Sequence, residues 1–441
     1  MKIFKRVLLL LVVIAIVVVA FNYKKLNIIA GYSAKSMNSS VFLANRSFAY
    51  TDSTDNNFSP IHFGSDKINK EKKTTSTSVF GILTRTAFYR EGLGSVLIDD
   101  DFDTALQVRV PQRTVANDIT PFPYGNAEQK DSILEHVNYE KLHRTVQNLF
   151  TNNTKTRAVL VVHKGQIIAE KYAENFTKNS RILGWSMTKS ITSTVFGIMQ
   201  KEGKIHIDDF APIETWKNDK RRTITNNNLL QMNSGLEWVE DYNTISDVTK
   251  MLFLERNMAS TQAEKEFAGE PNQTWNYSSG TSNLLSGIIR SKFKRHQEYL
   301  DYWYSAFIDK IGMNSMVVET DMWGNYVGSS YAWATPRDWA KFGLLYLHKG
   351  NWNGEQLFNP KWVDYVTTPT NGSNGKYGGH FWLNAEGQFP DIPKNMFYAS
   401  GYQGQFVFIF PDQDLVVVRM GLAHININEF LKSVLSSIKE E

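Results

Sequence analysis

The sequence predicts an α+β fold: an antiparallel sheet of about five strands built from both ends of one domain, flanked by helices, with a mainly helical lobe inserted at about 205–360. Three observations predict it. Short apolar runs bounded by turn residues fall in two clusters, at 157–173 and 380–419. A long stretch of helical periodicity and loops separates them, and an amphipathic helix closes the chain from about Asn426 to Lys439.

Taken in order, the chain opens on Met1-Lys2-Ile3-Phe4-Lys5-Arg6 and an unbroken apolar run from Val7 to Phe21. A basic start followed by about 15 apolar residues has the form of an export signal or signal-anchor. Val18-Val19-Ala20 could be a cleavage site, but Lys24-Lys25 follows it closely, so the expectation for 1–23 is an uncleaved inner-membrane anchor. The basic residues would stay cytoplasmic and the rest of the protein would be exported, facing the periplasm or another extracytoplasmic space. Residues 24–134 read as an N-terminal extension, loop-rich or poorly ordered over 51–78 and strand-like from Arg85 to Asp100. Residues 135–441 read as one further domain.

That region begins with an amphipathic helix at 138–150, carried by Leu142, Val146 and Leu149. A hairpin follows, with Ala158–Val162 and Gln166–Glu170 flanking Lys164-Gly165 as a tight turn. Strands return at His380–Leu383, Phe397–Ser400, Phe406–Phe410 and Leu415–Arg419, the last two joined by Pro411-Asp412-Gln413-Asp414.

Composition narrows the function. A chain of 441 residues that is 42% hydrophobic and 13% aromatic is globular rather than disordered. A net charge of +4, spread along the chain without a zinc-finger, P-loop or RNP-like pattern, argues against a nucleic-acid partner. There are no cysteines, which excludes disulfides and thiol nucleophiles. The histidines are scattered without His-Glu-x-x-His spacing, so neither a metal site nor any other cofactor is implied.

The chemistry concentrates at Gly184-Trp185-Ser186-Met187-Thr188-Lys189. Residues i and i+3 share a helix face, so Lys189 can bring its amine beside the Ser186 hydroxyl. Serine is a weak nucleophile until a base takes its proton. A lysine can do so only as the neutral amine, which requires lowering its pKa from roughly 10.4 by roughly 3 units, through burial or a nearby cation. Ser-x-x-Lys alone is a poor signal, since it occurs four times here, and a serine opening a helix is most often an N-cap. This occurrence differs in its surroundings. Ile191, Val195, Ile198 and Met199 recur at helical spacing, Gly197 allows close approach and Gly203 ends the helix, which together predict a buried helix.

Two further segments matter. Trp275-Asn276-Tyr277-Ser278-Ser279-Gly280 supplies a phenol, usually a core residue but here also a candidate proton shuttle. Ala399-Ser400-Gly401-Tyr402-Gln403-Gly404-Gln405 opens a strand, where glycines either let a substrate lie close to the backbone or form a bulge.

In this order, the three segments resemble the serine β-lactamase and penicillin-binding-protein superfamily, specifically the class C-like branch that includes esterases and 6-aminohexanoate-dimer hydrolases. The resemblance covers about 135–435 and extends to Leu229–Trp238, similar to the Met-x-Ser-Gly segment of that branch. Gly31–Lys35 through Val41-Phe42, with Tyr89–Gly94, resembles the N-terminal extension of nylon-oligomer-hydrolase-like exported proteins, although the cysteine often found after the lysine is absent.

The resemblance implies Ser186 as nucleophile, Lys189 as its base and Tyr277 as proton relay to the leaving group. Either Lys189 or Tyr277 could take the first proton, since such a pair titrates together. It also implies an oxyanion hole from the backbone N–H groups of Ser186 and Tyr402, and substrate contacts at Ser279, Ser400, Gly401 and Gln403. Two departures bear on substrate. Tyr-x-Asn has become Tyr277-Ser278-Ser279, and Lys-Thr-Gly has become Ala399-Ser400-Gly401, removing the cation that holds a substrate carboxylate. The expected activity is therefore hydrolysis of small esters or linear amides rather than penicillins, with Trp333, Trp382 and Tyr402 as candidate pocket walls. The competing expectation is a penicillin- or peptidoglycan-binding module with little turnover.

Overall fold

The computed structural model describes residues 2–105, 108–115, 119–129 and 133–439. They divide into two compact units, the first made of residues up to Arg90 with Gly94–Gln107 and Val239–Arg256, the second of Glu91–Leu93, Val108–Trp238 and the chain from Asn257 onward.

In the first unit, helix α1 (Lys2–Asn38) packs on a four-stranded antiparallel meander in the order β1 (Gly64–Asn69), β2 (Thr74–Val79), β3 (Leu83–Arg90) and β4 (Gly94–Ile98). Leu26, Ile29, Ala30, Tyr32 and Met37 bury the helix's C-terminal half. The short helix Asp247–Leu254 joins this unit, and Gly31 lets it approach: a Cβ there would stand 3.3 Å from the Cβ of Phe253.

The loop-rich stretch expected over 51–78 holds turns up to residue 60, but its second half contains the paired strands β1 and β2. The Ser/Thr-rich text of β2 conceals a period of two, with Thr75, Thr77 and Val79 inside. The polar members of that inner row have partners, because Asn38 Nδ2 donates to Thr75 Oγ1 at 3.1 Å and Thr77 Oγ1 donates to Asp66. Burial pushes the Asp66 carboxyl up, against the hydrogen bonds from Thr77, Ser33 and Asn56.

The apolar run at 7–21 lies within α1, but the expected anchor and cleavage site fall partly on residues 15, 16 and 18–22, whose side chains are outside the description. Among the described residues no helix is long and apolar enough to cross a membrane.

The second unit is built on an antiparallel sheet drawn from both ends of its sequence, as expected. Its strands are β5 (Thr156–His163), β6 (Gln166–Tyr172), β10 (Trp382–Leu383), β11 (Phe397–Gly401), β12 (Gln405–Phe410) and β13 (Leu415–Gly421). They run in the order β10-β11-β12-β13-β5-β6, six strands rather than about five because the two-residue β10 pairs at the edge. Strands β5, β12 and β13 are buried on both faces, which is why they read as unbroken apolar runs rather than alternating ones. Val417 sits opposite both Val161 and Phe408. Lys164 and Gly165 both take positive φ, the conformation a two-residue hairpin of this hand requires.

One face of the sheet is covered by α2 (Tyr139–Gln147) and the closing helix Ile427–Leu435, through Leu142, Val146, Phe430, Leu431 and Val434 against Val159, Val161, Phe408 and Val417. The other face carries α3 (Met187–Lys201) and α4 (Pro336–Leu347). Within the region expected as a mainly helical lobe, α4 thus returns to the sheet. Two very short strands of that region also pair, β8 (Val317–Val318) with β9 (Ala332–Ala334), and β9 with β7 (Ile182–Leu183) from before it.

Gly343 sets how closely α4 lies on the sheet, since a Cβ there would come within 2.6 Å of Val416 and 3.0 Å of Val407. Gly343→Ala should destabilise the protein by about 1–3 kcal/mol through overpacking, read as a lowered midpoint in thermal unfolding.

Candidate active site

The site begins at a tight turn. Gly184 has no room for a side chain, because a Cβ would meet the Trp339 ring at 2.3 Å, and Trp185 takes φ 47°, a left-handed conformation that costs a non-glycine residue energy. Hydrogen bonds anchor the turn: Gly184 N donates to Ala332 O at 2.8 Å, and Thr188 Oγ1 donates to Trp185 O at 2.7 Å. The turn delivers Ser186 to the N-cap of α3, yet the serine side chain makes no capping bond. Its hydroxyl faces Lys189, whose Nζ lies 3.0 Å from Ser186 Oγ.

Helix α3 is buried from Met187 to Met199 although six of the seven residues from Thr188 to Thr194 are Ser, Thr or Lys. Each polar side chain has a specific partner. Ser190 Oγ donates to His380 O at 2.7 Å, Thr192 Oγ1 to Gly328 O at 2.8 Å and Ser193 Oγ to Gly379 O at 2.9 Å, while Thr194 Oγ1 lies 2.7 Å from the Tyr346 hydroxyl. Buried hydroxyls are tolerated only when satisfied in this way. Gly197 admits the Trp362 ring, which a Cβ would strike at 2.6 Å.

Lys189 is 1% exposed. Besides Ser186, its Nζ donates to Ser279 Oγ at 2.8 Å and to Ser329 O at 3.1 Å, and it lies 4.8 Å from the centre of the Tyr277 ring. Because Lys189 Nζ is common to the 3.0 Å and 4.8 Å separations, the ring centre is less than a nanometre from the Ser186 hydroxyl. Ser279 begins the helix Ser279–Ser291, which Ser278 caps by accepting from Thr281 N at 3.0 Å. Although expected to touch substrate, Ser279 is fully buried and meets the lysine instead. Ser329 is held in turn, its N–H donating to Asn283 Oδ1 at 3.0 Å.

Tyr277 is half-buried in an aromatic group, with ring centres 5.3 Å from Trp382, 5.6 Å from Tyr377 and 6.4 Å from Trp275. Trp382 therefore flanks the tyrosine, whereas Trp333 is a core residue whose indole N–H donates to Glu319 at 3.0 Å.

Ser400, Gly401, Tyr402 and Gln403 lie at the end of β11 and the turn after it. Gly401 presses so closely on the Gly184 turn that a Cβ would sit 2.0 Å from Gly184 O. The Tyr402 ring meets Trp185 edge-on at 5.6 Å, and burial pushes its phenol up. Gln403 takes φ 62°.

His380 is a part of this region that the sequence did not single out. It is buried, with φ 68°, and its Nδ1–H donates to Leu230 O at 2.7 Å while Nε2 accepts from the Ser282 hydroxyl at 2.9 Å. Leu230 O can only accept, which fixes the tautomer. Burial lowers this imidazole to about 3, with the Leu230 bond opposing the shift. The one sequence signal was Gly378-Gly379 before it: a Cβ at Gly378 would strike Val366 O at 2.1 Å, so the backbone there is tightly packed.

This burial has a measurable consequence. A neutral buried histidine favours the folded state fully above its ordinary 6.5 and loses that contribution as pH falls toward about 3, because the unfolded chain then binds the proton. Urea unfolding at pH 7 and pH 5 should show the wild type losing about 2 kcal/mol more than His380→Asn over that interval.

Residues 142–421 match the family model described as Beta-lactamase. A 6-aminohexanoate-dimer hydrolase of Paenarthrobacter ureafaciens is 23% identical over 303 residues, covering 60% of this chain and 72% of that protein. Among solved structures, one from Bacillus anthracis bearing the same enzyme name has a TM-score of 0.56 at 22% identity, over 66% of this chain and 80% of its own. A family VIII carboxylesterase reaches 0.53 at 13% identity, over 70% of this chain and 98% of its own, a likeness of fold. With well over half of its length matched by the family model, the chain belongs to the beta-lactamase family, a hydrolase fold.

Proposed function

We propose that the protein is a serine hydrolase that forms an acyl-enzyme on Ser186 and cleaves small esters or linear amides. The observation that carries this reading is the 3.0 Å separation of Lys189 Nζ from a helix-opening serine that does not cap its helix. As the neutral amine, Lys189 keeps two N–H groups for Ser279 Oγ and Ser329 O and turns its lone pair on the Ser186 hydroxyl. Ser329 O cannot donate, so it restricts which way that lone pair points.

Ser186 Oγ then attacks the substrate carbonyl while its proton passes to Lys189. Tyr277, across from the amine, relays a proton to the departing alcohol or amine. The developing oxyanion is received by the backbone N–H groups of Ser186 and Tyr402, and water hydrolyses the acyl-enzyme by the reverse proton path.

Substrate preference follows from the walls. Ala399-Ser400-Gly401 offers no cation for a carboxylate, and Trp275, Tyr277, Tyr377 and Trp382 give an apolar flank suited to an aliphatic or aromatic acyl chain. Ser400, Gly401 and Gln403 supply the polar edge. The names of the relatives, a 6-aminohexanoate-dimer hydrolase and a carboxylesterase, support the same two bond types.

We also propose that α1 holds the exported enzyme at the inner membrane through the apolar run 7–21. Support comes from the exposure of Ile3, Phe4 and every residue from Val7 to Ile14, beside exposed Lys5 and Arg6. Cell fractionation should find the full chain with the membrane and a variant lacking residues 2–22 in the soluble fraction with unchanged specific activity; equal distribution of the two would refute the anchor.

Ser186→Ala should reduce p-nitrophenyl butyrate turnover by at least about 10⁴-fold without shifting thermal unfolding. Lys189→Arg should also inactivate, since arginine does not release its proton at neutral pH. Mass spectrometry should find one fluorophosphonate adduct, on Ser186. A folded Ser186→Ala variant with normal turnover would end the assignment.

A further inference from the structure

Arg419 on β13 is fully buried, and among the described residues no carboxylate pairs with it. Its guanidinium instead collects neutral oxygens. Nη1 donates to Gly404 O at 2.7 Å, Ala423 O at 2.8 Å and Gln403 O at 3.5 Å. Nη2 donates to Thr154 O at 2.5 Å and Thr156 Oγ1 at 2.9 Å, and Nε to Thr156 Oγ1 at 3.3 Å. Space for it is made by two glycines, since a Cβ at Gly404 would lie 2.4 Å from Nη1 and one at Gly421 would lie 2.6 Å from Cζ. Burial pulls the group down to about 10, so it stays protonated at neutral pH.

A buried cation without a counterion is a poor device for stability alone, because an apolar side chain of similar volume fills such a site with less desolvation. What the guanidinium supplies and an apolar residue cannot is a fan of directed donors. Here the fan reaches the turn joining β11 to β12. Gln405, 2% exposed, holds the same turn from its other end: its Nε2 donates to Tyr402 O at 3.0 Å and to Gly421 O at 2.6 Å, and its Oε1 accepts from Gly421 N at 3.0 Å. The carbonyls of Tyr402, Gln403 and Gly404 are thus all turned toward buried donors.

That orientation fixes one more group. Gly404 N donates to Gly401 O at 3.2 Å, so the Gly401 carbonyl points into the turn. In a trans peptide the N–H points opposite to the C=O, and the Tyr402 N–H must therefore point out of the turn. Gly401 is also the residue that abuts the Gly184 turn preceding Ser186.

We propose that Arg419, together with Gln405, is a positioning residue for the oxyanion-stabilising N–H of Tyr402, holding the 402–404 turn by its carbonyls so that the donor is aimed before substrate arrives. This rests on the acyl-enzyme reading above and extends it to residues that never touch substrate. Preorganised donors act in the transition state more than in substrate binding, so loosening the clamp lowers kcat and leaves KM nearly unchanged.

The test uses the full chain with Arg419→Lys, which keeps the charge but cannot span the acceptors, and Gln405→Met, which keeps the volume but not the donor. Burst kinetics with p-nitrophenyl acetate give the fraction of active sites and the acylation rate per site, and an aryl boronic acid, which forms an anionic tetrahedral adduct with serine, reports on the oxyanion hole. For each variant that unfolds cooperatively, the expected result is an acylation rate about 10- to 100-fold lower per active site, KM within about threefold, and boronate affinity weakened by a similar factor. If Arg419→Lys does not fold, Gln405→Met carries the test. A lowered melting point with unchanged per-site rate and boronate affinity would overturn the clamp while leaving the acyl-enzyme intact. Wild-type protein that shows neither a burst nor a Ser186 adduct would overturn the acyl-enzyme reading, and the clamp with it.

Discussion

The second unit is organised around a single buried amine. Lys189 Nζ meets a hydroxyl from its own helix, a hydroxyl from the start of Ser279–Ser291, the carbonyl of Ser329 and the face of Tyr277. Those groups come from separate stretches of chain, and an ammonium or amine in an apolar interior is tolerable only if each is held at hydrogen-bonding distance. Much of the surrounding structure follows. Asn283 fixes Ser329, Ser278 caps the helix that presents Ser279, and the Gly184-Trp185 turn sets where α3 begins.

The same constraint explains why α3 can be both polar in sequence and buried. Its hydroxyls are bonded to backbone carbonyls of the 328 and 379–380 segments, so the helix is keyed to its surroundings by directional contacts as well as by packing. His380 shows the cost of such keying. It holds a left-handed backbone and a neutral imidazole so that Leu230, Ser282 and Ser190 can all bond to one residue.

What was legible in the sequence was mostly local. Strands β5, β12 and β13 announce themselves because burial on both faces makes them continuous and rich in β-branched residues. The Ser186–Lys189 separation is set by one helical turn and can be read from spacing alone. The meander at 64–79 was not legible, because the inward row of β2 is mostly threonine, satisfied by Asn38 from α1 and by Asp66 on the neighbouring strand β1. Nor were Ser329, His380 and Arg419. Their contacts run to residues 140, 150 and 265 positions away, and nothing in a single sequence pairs an arginine with a carbonyl at that distance. Ser279 was legible as a position but not in orientation: a resemblance names the residue, whereas the direction in which its hydroxyl turns depends on packing.

Residues 239–256 sit, by sequence, between Trp238 and Asn257 of the hydrolase unit, yet they belong to the first unit, where Val248, Met251, Leu252 and Phe253 are buried. The two units are therefore threaded through one another along the polypeptide rather than strung end to end. Cutting the chain ahead of the hydrolase unit would leave an eight-residue apolar helix tethered at both ends with its natural cover gone. The minimal soluble hydrolase is thus not a simple C-terminal fragment, and trimming it would mean replacing that excursion with a short polar bridge.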